Sequence, residues 1–215
     1  MKKRLVLFLS LTGMILFIFA GCGASGPSPT ETADTFLKGI QSGDDAAVNS
    51  VYAPGDFQMS SVLDVDGTEE IDQDELIAKT LLTKMQEFEY ELSNEQTNED
   101  KATVDVKITT YPFGTAVTEA MSEYISQAFA LAFSDPSDEQ LEKLFETVFT
   151  PKIEALSKKS YSQTVTIGLT SIDGVWKVDE IEEDSDFINA LSGNLIKSME
   201  NLEDVYSSFD NETDE

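Results

Sequence analysis

Histidine is absent from all 215 residues, and cysteine occurs once, at Cys22. The missing imidazole removes the commonest general base and the commonest transition-metal ligand. Ser–His–Asp, Cys–His and histidine-based zinc chemistry are therefore unavailable. A single cysteine has no partner for an internal disulfide. Basic residues are also scarce, with 14 Lys and Arg against 41 Asp and Glu and a net charge of −27. A field of that sign opposes DNA, RNA and anionic lipid headgroups, which are bound through basic patches. No nucleic-acid partner and no cofactor is expected. Hydrophobic residues at 40% and aromatics at 9% still suffice for a folded core.

The one long apolar run lies at the start. Lys2, Lys3 and Arg4 precede Leu5 to Ala20, and the run ends in Phe19-Ala20-Gly21-Cys22. A basic start, an apolar centre and small residues at the end are marks of an export signal. The run is shorter than the ~20 residues that span a bilayer core. Its end resembles the lipobox of bacterial lipoproteins, with Phe19 where leucine is commoner. That resemblance implies cleavage between Gly21 and Cys22 and a diacylglycerol thioether on Cys22. It places the chain on the outer, extracytoplasmic face of the cell membrane, held by lipid. Loss of residues 1–21 removes three basic residues and no acid, taking the net charge to −30.

Residues 22–28 are small and read as a tether. Ser28-Pro29-Thr30-Glu31 carries a helix start: Ser28 as N-cap, Pro29 at the first turn and Glu31 to close a capping box. Ala33, Phe36, Leu37 and Ile40 then share one face, and Ser42-Gly43 stops the helix. Asp44 and Asp45 open a second, short helix with Val48, Val51 and Tyr52 inward. Residues 56–70 read as a packed loop. Asp64-Val65-Asp66-Gly67, with Glu69 and Glu70, lacks the third ligand position and the sixth-place glycine of a calcium loop, so it reads as a polar turn. A third helix starts near Asp72, with Leu76, Ile77, Leu81 and Met85 buried.

From Phe88 the apolar period changes to two. Phe88, Tyr90 and Leu92, a polar turn at Ser93–Asp100, and Ala102, Val104, Val106 and Ile108 predict an antiparallel hairpin with one covered face. A second hairpin joins Val165, Ile167 and Leu169 to Val175-Trp176-Lys177-Val178 through Asp173-Gly174, a strong turn signal. Between them, residues 113–160 read as a helical insertion. One helix carries Val117, Met121, Tyr124, Ala128 and Leu131. The next carries Leu141, Leu144, Phe145, Val148 and Phe149, with Pro151 expected to kink or restart it. A C-terminal helix is expected over residues 183–206, followed by an acidic tail at 207–215 expected to be disordered.

Ala33 to Asp44 and Asp173 to Val178 together resemble the cystatin-like cone of the nuclear-transport-factor-2 superfamily. In particular the chain is similar to Gram-positive lipoproteins of unknown function that carry this domain behind a lipobox. The resemblance covers roughly residues 28–182 and implies an α+β fold. An antiparallel curved sheet would wrap on the N-terminal helices, with Phe36 and Trp176 in the core. Some relatives of that fold are isomerases or dehydratases using a pocket tyrosine and carboxylates or histidines. Here Tyr90, Tyr111 and Tyr161 are the tyrosines within reach of such a cavity, while Asp105 and Lys107 face away from it.

No residue is assigned as catalytic or metal-binding. Phe129, Phe133, Phe145 and Phe149 form the candidate surface: either they pack and the insertion is structural, or part stays exposed and binds a protein or a small apolar ligand. The expected function is that of a non-enzymatic, lipid-anchored binding protein. The alternatives are an isomerase- or hydrolase-type enzyme and a purely structural envelope protein.

Overall fold

The computed structural model describes residues 26–59 and 73–202. Gly21, Cys22, the Asp64–Glu70 turn and the 207–215 tail lie outside the described residues. The chain folds as an α+β protein in the order α1 (Pro29–Ser42), α2 (Asp45–Val51), α3 (Gln73–Gln86), β1 (Glu89–Asn98), β2 (Lys101–Thr110), α4 (Phe113–Ala132), α5 (Asp138–Glu154), β3 (Tyr161–Ile172), β4 (Val175–Val178) and α6 (Asp186–Leu191). Residues 195–202 are again helical.

α1 begins as its sequence dictates. Ser28 Oγ accepts from the Glu31 amide, and the Glu31 carboxylate accepts from the Ser28 amide at 2.8 Å. Gly43, at φ +65°, closes it. Its apolar stripe of Ala33, Phe36, Leu37 and Ile40 is fully buried. That stripe packs on a four-stranded antiparallel meander in the order β1-β2-β3-β4. Ala102, Val104, Val106 and Ile108 of β2 and Val165, Ile167 and Leu169 of β3 point into the same core. The opposite sheet face is polar: Thr166 Oγ1 donates to Asp105 at 2.6 Å, and Lys107 pairs with Glu91 at 3.3 Å. Hydrogen bonds from Thr166 and Asn94 hold the Asp105 carboxyl below its ordinary pKa. Asp105 and Lys107 thus face away from the core, as the alternation requires.

Four expectations are corrected. The stretch Ser93–Asp100 is mostly strand, because β1 runs to Asn98 and only Glu99-Asp100 turns. Ladder bonds to β2 need backbone groups and not apolar side chains, so the polar half of β1 still pairs, with a register shift between Ser93 and Gln96. Pro151 does not restart the helix: it lies inside α5, which continues to Glu154. Trp176 is only half-buried, since it lies at the sheet margin two residues from the Asp173-Gly174 turn.

The fourth correction concerns the C-terminal helix, which is broken. α6 ends at Leu191, and Gly193 and Asn194 take φ of +56° and +67° before the 195–202 helix begins. The break presses Gly193 onto the β2–α4 connection, where its carbonyl accepts from the Gly114 amide at 3.0 Å. A Cβ on Gly193 would overlap the Tyr111 carbonyl oxygen, whereas one on Gly174 would meet nothing within 4 Å. Gly193→Ala is therefore expected to lose about 3–5 kcal/mol in urea unfolding, combining left-handed strain with a backbone clash. Gly174→Ala, which carries the strain alone, should lose about 1–2 kcal/mol. Equal losses would show that the close approach at Gly193 does not matter.

Candidate functional site

The insertion springs from one end of the sheet. β2 ends at Thr110, which pairs with Tyr161 at the start of β3, so α4 leaves and α5 returns at that end. The first turns of α4 are core: Phe113, Ala116, Val117 and Ala120 are buried. Gly114 allows that docking, since a Cβ there would overlap the Asn194 carbonyl and Ser198 Oγ. Ser137 caps α5, and Gln140 closes a capping box. Lys152 of α5 pairs with Glu123 of α4 at 3.3 Å.

The four phenylalanines divide. Phe149 is buried, and Phe145 stacks on it at 4.0 Å while meeting Tyr124 edge-on at 5.7 Å. These two therefore join α4 to α5 and are structural. Phe129 and Phe133 are 69% and 82% exposed and touch each other edge-to-face at 5.6 Å. Ile125, 39% exposed, precedes them by one turn. The spacing of four places Ile125, Phe129 and Phe133 along one stripe of the distal half of α4. Sequence reasoning missed Ile125. The i, i+4, i+8 spacing marks the three as neighbours, but periodicity alone cannot say which apolar stripe of a helix apolar around much of its girth meets its neighbour.

Grooves lie both at this hairpin and, away from it, along the edge of the sheet. One, of ≈ 430 Å³, lies between the bases of α4 and α5 among Pro112, Ala116, Glu119, Glu123, Lys152 and Leu156. The other, of ≈ 470 Å³, lies along β3 beside Glu180, Glu182 and Asp186. Among the described residues no group of three or more His, Cys, Asp or Glu is placed to hold a metal ion.

The tyrosines singled out from sequence are not brought together. Tyr90 donates to Asp34 at 2.7 Å, Tyr111 to Glu87 at 2.6 Å and Tyr161 to Gln163 at 2.5 Å. Each hydroxyl is engaged locally. The core under α1 is filled by Phe36 against Tyr52, Phe57 and Phe187, with ring centroids 5.8, 5.2 and 6.0 Å away. Burial pushes Asp34 up, but bonds from Lys38 and Tyr90 outweigh it and hold the carboxyl below its ordinary value.

Four tyrosines are shifted upward. Burial raises Tyr52, Tyr161 and, most strongly, Tyr90, which also bonds the Asp34 carboxylate. The bond to Glu87 comes first at Tyr111, followed by burial. A folded pKa above the unfolded value means that the unfolded chain releases its proton first. The stabilisation is thus complete below about pH 10 and is lost as pH rises through the folded values. The urea midpoint should fall steeply above about pH 10, with tyrosinate absorbance appearing together with unfolding. Stepwise ionisation of all tyrosines before unfolding would contradict it.

Neither the known protein-family models nor the curated proteins match this chain. Among solved structures, a lipoprotein candidate of Bacillus subtilis, YcdA, is similar over 76% of this chain, at 13% identity and a TM-score of 0.42. This chain spans about half, 47%, of that protein's length. A likeness so distant carries no argument about function. Among the described residues no helix is long and apolar enough to cross a membrane.

Proposed function

We propose that this chain is a lipid-anchored, extracytoplasmic, non-enzymatic binding protein whose α4–α5 hairpin presents an apolar tip to a partner protein. The lipobox-like end at Cys22 supports the anchor. The packing of α1 on the antiparallel sheet and the Gly174-Val175-Trp176 return support a cystatin-like reading of the body. The observation that carries the proposal is the exposed Phe129–Phe133 pair on the distal half of α4. Monomeric proteins seldom leave paired aromatic rings in water without use.

Topology supports a partner beyond the bilayer. Gly26 lies beside the Gly174 carbonyl, so the chain enters at the hairpin-turn end of the sheet. The insertion leaves at the other end, about 30 Å away along a ten-residue strand. α4 packs on α5, and α5 also meets α3. The anchor and the base of the α4–α5 hairpin therefore belong to opposite ends of the sheet.

A photo-crosslinking residue at Ile125 tests this in intact cells. The product formed by the wild type should drop about tenfold or more in Phe129→Ser/Phe133→Ser, as for a two-residue hot spot. Stability should stay within about 0.5 kcal/mol, because both rings are solvent-facing. An unchanged crosslink pattern would sink the assignment.

A further inference from the structure

The sheet has two outer edges with opposite character. β1 is defended in the usual way: it bulges between Ser93 and Gln96, and Glu89, Glu91 and Glu95 line it. Glu95 also accepts from the Thr30 amide at 3.0 Å, and Lys159 pairs with Glu89 at 3.0 Å.

β3 is different. β4 is four residues long and covers only Leu169–Ile172 of a twelve-residue strand. Past it, the Asp179 amide donates to the Gly168 carbonyl at 2.9 Å, and the chain turns away. Backbone groups alternate in direction along a strand. The Gly168 carbonyl faces the β4 side, and the Ser171 amide faces β2, donating to the Asp100 carbonyl at 2.8 Å. The amides and carbonyls of Thr164 and Thr166 therefore face the open edge, where they have no protein partner among the described residues. The run from Tyr161 to Gly168 holds no charge, no proline and no bulge. Such an edge is a template for another strand.

The ≈ 470 Å³ groove along this edge has an acidic far wall. Asp186 is paired with Lys197 at 2.6 Å, and Asp179 accepts from Thr170. Glu180 and Glu182 are exposed and make no ion pair among the described residues. A strand entering here would meet unpaired peptide groups on one side and uncompensated carboxylates on the other.

We propose that the Thr164–Thr166 edge of β3 accepts an extended basic segment of a partner protein as an added strand. The ladder supplies the backbone contacts, and the lysines or arginines of the segment face Glu180 and Glu182. This surface is separate from the Phe129–Phe133 tip, so either can fail alone.

The probe is a fluorescent eight-residue peptide alternating lysine and valine, titrated against the full chain in detergent and followed by anisotropy. Hydrogen exchange at the Thr164 and Thr166 amides is measured alongside. Saturable binding is expected, with both amides slowed about tenfold or more. Glu180→Gln and Glu182→Gln should each weaken it about 1.5- to 5-fold, as exposed pairs do. A peptide N-methylated on alternate residues keeps its charges but cannot form the ladder, and it should not bind. Equal binding of the N-methylated peptide would reduce the effect to bulk charge and overturn the proposal. So would equal binding of a glutamate–valine peptide, or protection at β1 instead. Concentration-dependent protection of the free chain would assign the edge to a second copy and overturn it as well.

Discussion

A Cys22→Ala chain is expected to take up no fatty-acid label and to move from the membrane fraction to the medium or the soluble fraction. The effect should be complete, because Cys22 is the only thiol in the sequence. The signal-like run before it is too short and too soon interrupted to hold the mature body alone. The mature charge of −30 adds repulsion from an anionic leaflet, so no surface attraction replaces the lipid. Gly26, four residues on, already sits beside Gly174. A lipid on Cys22 would thus be linked to the hairpin-turn end of the sheet by at most about 14 Å and would hold that end close to the bilayer. Metabolic labelling with an alkyne fatty acid, read by gel after click coupling, decides the point. Persistent labelling of the Cys22→Ala chain would refute the anchor without touching the fold.

The second large effect is Phe36→Ala, expected to cost about 3–5 kcal/mol of folding stability. Phe36 is completely buried at the meeting point of α1, Tyr52 at the end of α2, Phe57 of the following loop and Phe187 of α6. Truncation removes the one ring that, among the described residues, touches all three, and leaves a void. Helix, sheet and C-terminal segment cannot all close on it at once. For a chain of this size, the melting temperature should fall by roughly 6–20 °C. A fall under about 2 °C would mean that the site collapses freely and that Phe36 is not the keystone of the helix layer. Phe36→Leu, which keeps most of the volume, should recover much of the loss.

These two tests separate the address of the protein from its body, and the tip variants separate both from recognition. Phe129 and Phe133 should matter to crosslinking and not to melting. Phe36 should matter to melting first. Cys22 should matter only to attachment. The edge of β3 adds a fourth independent readout, at the level of individual amides.

Much of the fold is legible along the chain because the forces that form it are local. Ser28 with Glu31 and Ser137 with Gln140 each satisfy orphan amides within one turn, and both boxes form. Asp173-Gly174 turns where both residues take positive φ, at +53° and +81°. The period-two runs of β2 and β3 bury the residues that their alternation selects. The absence of histidine and the placement of Cys22 likewise needed only the sequence.

Other features needed the third dimension. Asn94 to Asn98 extend β1 because β2 lies alongside with free backbone groups, a fact with no side-chain signature. The helix after Ser185 breaks at Gly193 because the β2–α4 connection passes there, and helical periodicity runs through the break without a mark. All four phenylalanines of the insertion look equally apolar in sequence. Only the packing of α5 against its neighbours buries Phe149, half-buries Phe145 and leaves Phe129 and Phe133 in water, since burial depends on which neighbour occupies each face. The open edge at Thr164 and Thr166 follows from β4 stopping after four residues. The sequence determined most of the elements and the side-chain chemistry that this chain lacks, and it carries the signal-like start on which the expected address rests. Tertiary packing decided which apolar and backbone groups were left without a partner, and those are the groups available to bind one.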